Sequence, residues 1–181
     1  MNSMKPFPYR RICVVGSTGS GKSTLSSEIA RRLKIPYVEL DSLQEDPDGT
    51  LCKEEEMRKR VNKAIRGDAW VVDGNYSFLR DLTWSRAEVV VWLDYPMRLI
   101  LWRLWKRAWK RVLPKATLWW TNKKRLRLHS FRKPAFLNAL LTYKRRKRNL
   151  PAIVSAPEHA TLKVYQFKSP RETEAWLYSW A

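Results

Sequence analysis

Gly16-Ser17-Thr18-Gly19-Ser20-Gly21-Lys22-Ser23 decides the fold, because it fills the pattern G-x-x-x-x-G-K-[ST] at every fixed position. Its residue types suit one task. Glycines let the backbone curl until successive N–H groups point inward at phosphate oxygens. A helix that follows adds the partial positive charge of its N-terminus. Lys22 is placed to reach β- and γ-phosphates, and the Ser23 hydroxyl to meet Mg²⁺. Thr24 closes the segment. The flanks agree with this reading. Ile12 to Val15 is a short β-branched apolar run, a buried strand. After the loop, Leu25, Ile29 and Leu33 recur every four residues, one face of a helix. The ligand this predicts is a nucleoside triphosphate, read as ATP with Mg²⁺.

Working outward, the period keeps switching. Strands are predicted at Pro36 to Leu40, Trp70 to Val72, Glu88 to Leu93 and Leu162 to Phe167. Helices are predicted at Lys53 to Arg66, with Met57, Val61 and Ile65 inward, and from Pro96 through Met97 to Leu113. Two more are predicted from Pro134 to Arg148 and from Pro170 to Trp180. Short, wholly apolar strands alternating with helices indicate a parallel sheet covered on both faces. The expectation is an α/β, three-layer P-loop NTPase fold with a five-stranded parallel sheet and a basic helical lid insertion at 98–150, all within one domain, 1–181. The length of 181 residues suits a single core.

Asp41 and Asp73 both follow predicted strands, so both belong on the rim that carries the phosphate loop. Asp73 is the candidate to hold a metal-bound water. Asp41 is the candidate base for an acceptor hydroxyl, or a residue that binds the acceptor. Either could instead cap the next turn. Asp94, before Tyr95-Pro96, is expected to cap a helix.

The net charge of +19 sits in one place. From Arg98 to Arg148 there are 18 Lys and Arg and no acid, leaving 18 cations against 17 acids elsewhere. In the first helix of this stretch Ile100, Leu101, Leu104, Trp105, Ala108, Trp109 and Val112 are expected to share a face. Arg103, Arg107 and Lys110 lie opposite, with Lys106 and Arg111 beside them. Arg103 and Arg107, one turn apart, can clamp an anion or stack on a base. Lys123, Lys124, Arg125, Arg127, Arg132 and Lys133 follow, then the run Lys144 to Arg148. Such a segment would close over phosphates as a lid. Interleaved with Trp102, Trp105, Trp109, Trp119 and Trp120, it could also track a nucleic-acid backbone, with ATP as a switch. An interfacial helix would carry the same pattern, but the sheet needs that apolar stripe, so a membrane surface is not expected. Cys13 and Cys52 make no disulfide framework, no leader is recognisable, and a cytoplasmic location is expected.

Gly16-to-Thr24, Leu40-Asp41, Val72-Asp73-Gly74-Asn75-Tyr76, Leu93-Asp94-Tyr95-Pro96, Thr142-Tyr143-Lys144-Arg145-Arg146 and Ser169-Pro170-Arg171-Glu172 together resemble the adenylate-kinase-like P-loop kinases of nucleotides and metabolites. Within these the chain is most similar to a bacterial subgroup called DNA topology modulation proteins. The resemblance implies that Arg103 covers the adenine and Arg107 contacts phosphate. It also implies that Asp73 supports magnesium and that the turn at Pro170 lies beside the base. Asp73-Gly74 is similar to the family's Asp-Gly-Phe-Pro-Arg, but Asn75-Tyr76-Ser77 replaces the last three residues and the nearest arginine is Arg80. The acceptor, a small molecule or nucleotide, is left open, as is the oligomeric state.

Overall fold

A computed structural model describes residues 7–46, 48–112 and 135–180. Five strands form the sheet: β1 (Arg11–Gly16), β2 (Tyr37–Glu39), β3 (Trp70–Asp73), β4 (Val89–Leu93) and β5 (Lys163–Phe167). Their order is β2-β3-β1-β4-β5, and every pairing is parallel. The α/β expectation with a five-stranded parallel sheet therefore holds. The strands differ from the expected ones by at most one residue at either end. The largest change is at Leu40, which leaves β2 to begin a helical turn.

Because side chains alternate along a strand, each strand feeds two cores. Ile12, Val14, Val71, Val89 and Val91 point to one, together with Leu25 and Ile29 of α1 (Lys22–Leu33). Ile100 and Leu104 of α5 (Met97–Val112) join them, as does Leu177 of the last helix (Pro170–Tyr178). Cys13, Val15, Val72, Val90 and Trp92 point to the other. There they meet Met57 and Val61 of α3 (Glu54–Ala64) and Trp84 of a short helix, α4 (Arg80–Trp84). Burial pushes the Cys13 thiol up to about 12, so it behaves as a core side chain. A turn of helix, α2 (Leu40–Leu43), follows β2.

Two helices of the basic segment are described. The second, α6 (Ala135–Val154), runs six residues beyond its expected end and through Pro151. Proline removes one intrahelical bond. The helix continues because Leu150, Ile153 and Val154 pack against the second core. In α5 the expected faces need correction. Ile100 and Leu104 are buried, but Trp102, Trp105 and Trp109 are 54%, 50% and 53% exposed. At 100° per residue these tryptophans lie on the opposite side from Ile100 and Leu104. Close approach to the sheet and loop needs compact aliphatic chains, so the indoles turn outward. The expected cations of residues 113–134, with Trp119 and Trp120, lie outside the described residues.

Candidate active site

The phosphate loop leaves the carboxyl end of the central strand, β1, between β3 and β4. Gly19 and Gly21 have φ of 86° and 98°, in the left-handed region that glycine enters freely. A Cβ at Gly19 would stand 2.9 Å from Cγ and Cδ2 of Leu104, so α5 lies directly against the loop. The Ser20 amide donates to Ser17 O at 3.0 Å. Among the described residues, the amides of Gly19, Gly21 and Ser23 donate no hydrogen bond. Gly21 caps α1 without a side-chain acceptor, and no acid occupies the first turn. A helix start whose amides are left without acceptors suits an anion. The Lys22 ammonium donates to Ser17 O at 3.4 Å, folded over its own loop. Ser17 and Ser20 are buried in the cradle, while Ser23 and Thr24 face the solvent side of the α1 start.

Asp73 ends β3 and is buried. Burial raises its pKa above the ordinary carboxylate value, while the Ser23 hydroxyl, the Lys22 charge and the Tyr37 hydroxyl pull it back. No hydrogen bond of good geometry closes on its Oδ2 or on the Tyr37 hydroxyl among the described residues. Burial first, and the Asp73 charge second, push the Tyr37 hydroxyl up. An orphaned carboxylate oxygen beside a P-loop serine suits a hydrated Mg²⁺, which takes one or two protein oxygens and fills its remaining positions with phosphate and water. No group of three or more His, Cys, Asp or Glu that could hold a metal ion exists among the described residues.

Asp41 lies in the first turn of α2 and is exposed; Tyr76 donates to its Oδ1 at 2.7 Å and also contacts Gln44 Oε1 at 2.9 Å. The tyrosine therefore links the tip of β3 to the tip of β2. Asn75, which sequence reasoning passed over, grips Gly16. Its Oδ1 accepts from the Gly16 amide at 3.2 Å and its Nδ2 donates to Gly16 O. Only tertiary structure brings these two residues together, across 59 positions of chain. The sole hint in sequence is that Asn75 replaces a hydrophobic residue of the related motif.

Arg103 donates to Ser20 O at 2.6 Å, and its guanidinium lies 5.2 Å from the centre of the Tyr95 ring. It is thus brought to the loop. Arg107, one turn further on, is exposed and makes no hydrogen bond or ion pair among the described residues. Pro170 is the first residue of α7 (Pro170–Tyr178). Ser169 accepts from the Glu172 amide at 3.3 Å, and Glu172 returns to the Lys168 amide at 2.9 Å, a capping box. The Tyr95 and Thr173 hydroxyls pair at 2.7 Å, so the Pro170 turn, Tyr95 and Arg103 form one connected group. Asp94, expected to cap a helix, accepts from Gln166 Nε2 through its carboxylate at 2.9 Å.

Beside the loop lies a cleft of about 60 Å³. Gly16, Ser17 and Asp94 border it at the strand ends. Asn75, Tyr76, Arg80 and Trp84 form one wall, and Tyr143 and Lys147 of α6 form the other. Arg80 stacks 5.3 Å from the Trp84 ring, and burial lowers its pKa. No acidic group pairs with it among the described residues. Sequence reading noted Arg80 only as an arginine out of register. Its place follows from a 3₁₀ turn, Ser77–Leu79, and from α4, neither of which has a readable period.

No family model matches the chain. A shikimate kinase of Bradyrhizobium diazoefficiens is 30% identical over 152 residues, covering 74% of this chain and 70% of that protein. One of Sulfurihydrogenibium sp. is 29% identical over 110 residues, covering 52% and 66%. Among solved structures, a shikimate kinase from Acinetobacter baumannii in complex with shikimate superposes with a TM-score of 0.54 at 16% identity, covering 94% of this chain and 92% of that one. A gluconokinase from Sinorhizobium meliloti gives 0.52 at 17%, covering 96% and 94%. These likenesses establish a shared fold, and the expectation of a P-loop small-molecule kinase holds. They lend no support to the DNA topology modulation subgroup or to a nucleic-acid partner. The phosphate loop, the sheet order and the kinship with the Bradyrhizobium protein converge: the chain belongs to the shikimate kinase family of P-loop small-molecule kinases.

Proposed function

We propose that this kinase transfers the γ-phosphoryl group of Mg-ATP to a hydroxyl of a small anionic metabolite seated in the cleft beside Gly16. The observation that carries the proposal is Arg80. A half-buried guanidinium with no acidic partner among the described residues, facing Lys147 across a cleft that touches the phosphate loop, is suited to a carboxylate or phosphate on the acceptor. A relative solved with shikimate bound supports a small-molecule acceptor.

The amides of Gly19, Gly21 and Ser23, with the start of α1, hold the β- and γ-phosphates. Lys22 turns from Ser17 O toward the phosphates as charge develops on them. Ser23 and Asp73 are the residues that would hold Mg²⁺, which when bound neutralises phosphate charge. Asp41, fixed by Tyr76, accepts the proton of the acceptor hydroxyl or orients that hydroxyl. Arg103, Arg107 and the turn at Pro170 belong to the ATP side, and the 98–150 segment serves as the lid. A lid reading is favoured by Lys147, which reaches the cleft from α6.

The test is a transfer screen with Mg-ATP over hydroxy acids, nucleoside monophosphates and neutral sugars. Turnover is expected with an anionic acceptor, lost in Lys22→Ala, and with KM raised about tenfold or more in Arg80→Ala. Equal use of neutral sugars would remove the anionic assignment. No turnover with any acceptor would remove the transfer itself.

A further inference from the structure

Helix α5 has two working faces. Inward, Ile100 and Leu104 are buried against the sheet and the phosphate loop. Outward, Trp102, Trp105 and Trp109 each keep about half their surface in water. Trp102 and Trp105 stack at 5.1 Å with 24° between planes, and Trp109 meets Trp105 edge-on at 5.6 Å. At 100° per residue Arg98 and Lys106 fall on the same side as the three indoles, and both are exposed. Packing of the sheet does not use this stripe. A contiguous exposed patch of this kind marks an interaction surface.

We propose that the outer face of α5 docks the protein on the surface of an anionic lipid bilayer. Indoles are enriched at the level of lipid headgroups, where one edge is apolar and the N–H is wet. Arg98 and Lys106, set among them, match anionic headgroups. The charge is one-signed well beyond the helix. No acid occurs from Arg98 to Arg148, and Lys144, Arg145 and Arg148 are exposed on neighbouring α6. No described helix is long and apolar enough to cross a membrane, so α5 lies along the surface. A single-stranded nucleic acid fits less well. Bases stack on free aromatic faces, and Trp102 and Trp105 turn a face onto each other.

The experiment is flotation of the full chain with phosphatidylcholine vesicles, with and without an anionic lipid, across a salt series. Binding is expected only with anionic lipid, weakening as salt rises, with a blue shift of tryptophan emission. Replacing the indoles together (Trp102→Ser, Trp105→Ser, Trp109→Ser) should weaken binding more than about tenfold. Arg98→Gln and Lys106→Gln should each weaken it about fivefold. Far-ultraviolet circular dichroism and a thermal unfolding midpoint unchanged in these variants establish that they are folded. The proposal is overturned by absent vesicle binding, by binding indifferent to lipid charge, or by binding that survives loss of the indoles. Self-association or oligonucleotide retention that disappears with the indoles, without vesicle binding, reassigns the face and overturns it equally.

Discussion

Replacing Gly19 with alanine tests whether α5 is seated in the phosphate loop. The φ of 86° costs a non-glycine residue about 1–2 kcal/mol. The new methyl would lie 2.9 Å from both Cγ and Cδ2 of Leu104, with Ile100 Cγ2 at 3.5 Å. Carbon contacts settle at about 3.5–4.0 Å, so Leu104 must shift or α5 must lift. Overpacking of this kind costs about 1–3 kcal/mol. The sum, about 2–5 kcal/mol, leaves a domain of ordinary stability folded. It lowers the melting temperature by about 4–20 °C for a chain of this size. The informative assay is a double-mutant cycle with Leu104→Ala, read by thermal or denaturant unfolding. Shortening Leu104 removes the clash but not the backbone strain. The pair should therefore be less damaging than the sum of the singles by about 1–3 kcal/mol. Additivity within about 0.5 kcal/mol would refute the contact, and with it the assignment of α5's inner face.

Further outcomes follow from the same geometry. Asp73→Asn should abolish magnesium-dependent turnover while leaving the nucleotide-free protein at least as stable at neutral pH. Because burial raises the carboxyl's pKa, the stability linked to it is full below the ordinary carboxylate value and is lost as pH rises through the raised one. Unfolding midpoints of wild type and variant should accordingly diverge on the alkaline side of that transition, and a constant difference at all pH values would contradict it. Asn75→Ala removes both grips on Gly16 and should cost about 1–3 kcal/mol of stability with a matching loss of Mg-ATP affinity by calorimetry. Arg103→Lys should weaken ATP binding about tenfold, since a lysine cannot both donate to Ser20 O and stack on Tyr95; unchanged affinity would place Arg103 outside the nucleotide site.

What was legible in the sequence was whatever is local and periodic. The loop pattern, the apolar strands around it and the four-residue rhythm of α1 and α3 carry their reading within a dozen residues. The α5 faces were misdrawn because nearly every position that is not cationic is apolar. A wide stripe does not say which part of it meets the sheet, and the narrow space above Gly19 selects Ile100 and Leu104 over the indoles. Arg80 and Asn75 were missed for a different reason. Both act across distance in the chain, one from a five-residue helix without a period, the other through an amide bonded to backbone. α6 runs past the expected end at Arg148 because packing of Ile153 and Val154 against the second core outweighs the one hydrogen bond that Pro151 removes.

The clasp of Asn75 on Gly16 has a mechanical consequence. One planar amide occupies both the N–H and the C=O of a single residue, so the tip of β3 and the root of the phosphate loop cannot hinge apart without breaking two bonds together. That side of the chamber behaves as a fixed jaw. The facing jaw is held by less: Tyr143 and Lys147 line it from α6, and the Tyr143 hydroxyl donates to Tyr95 O through one long bond of 3.3 Å.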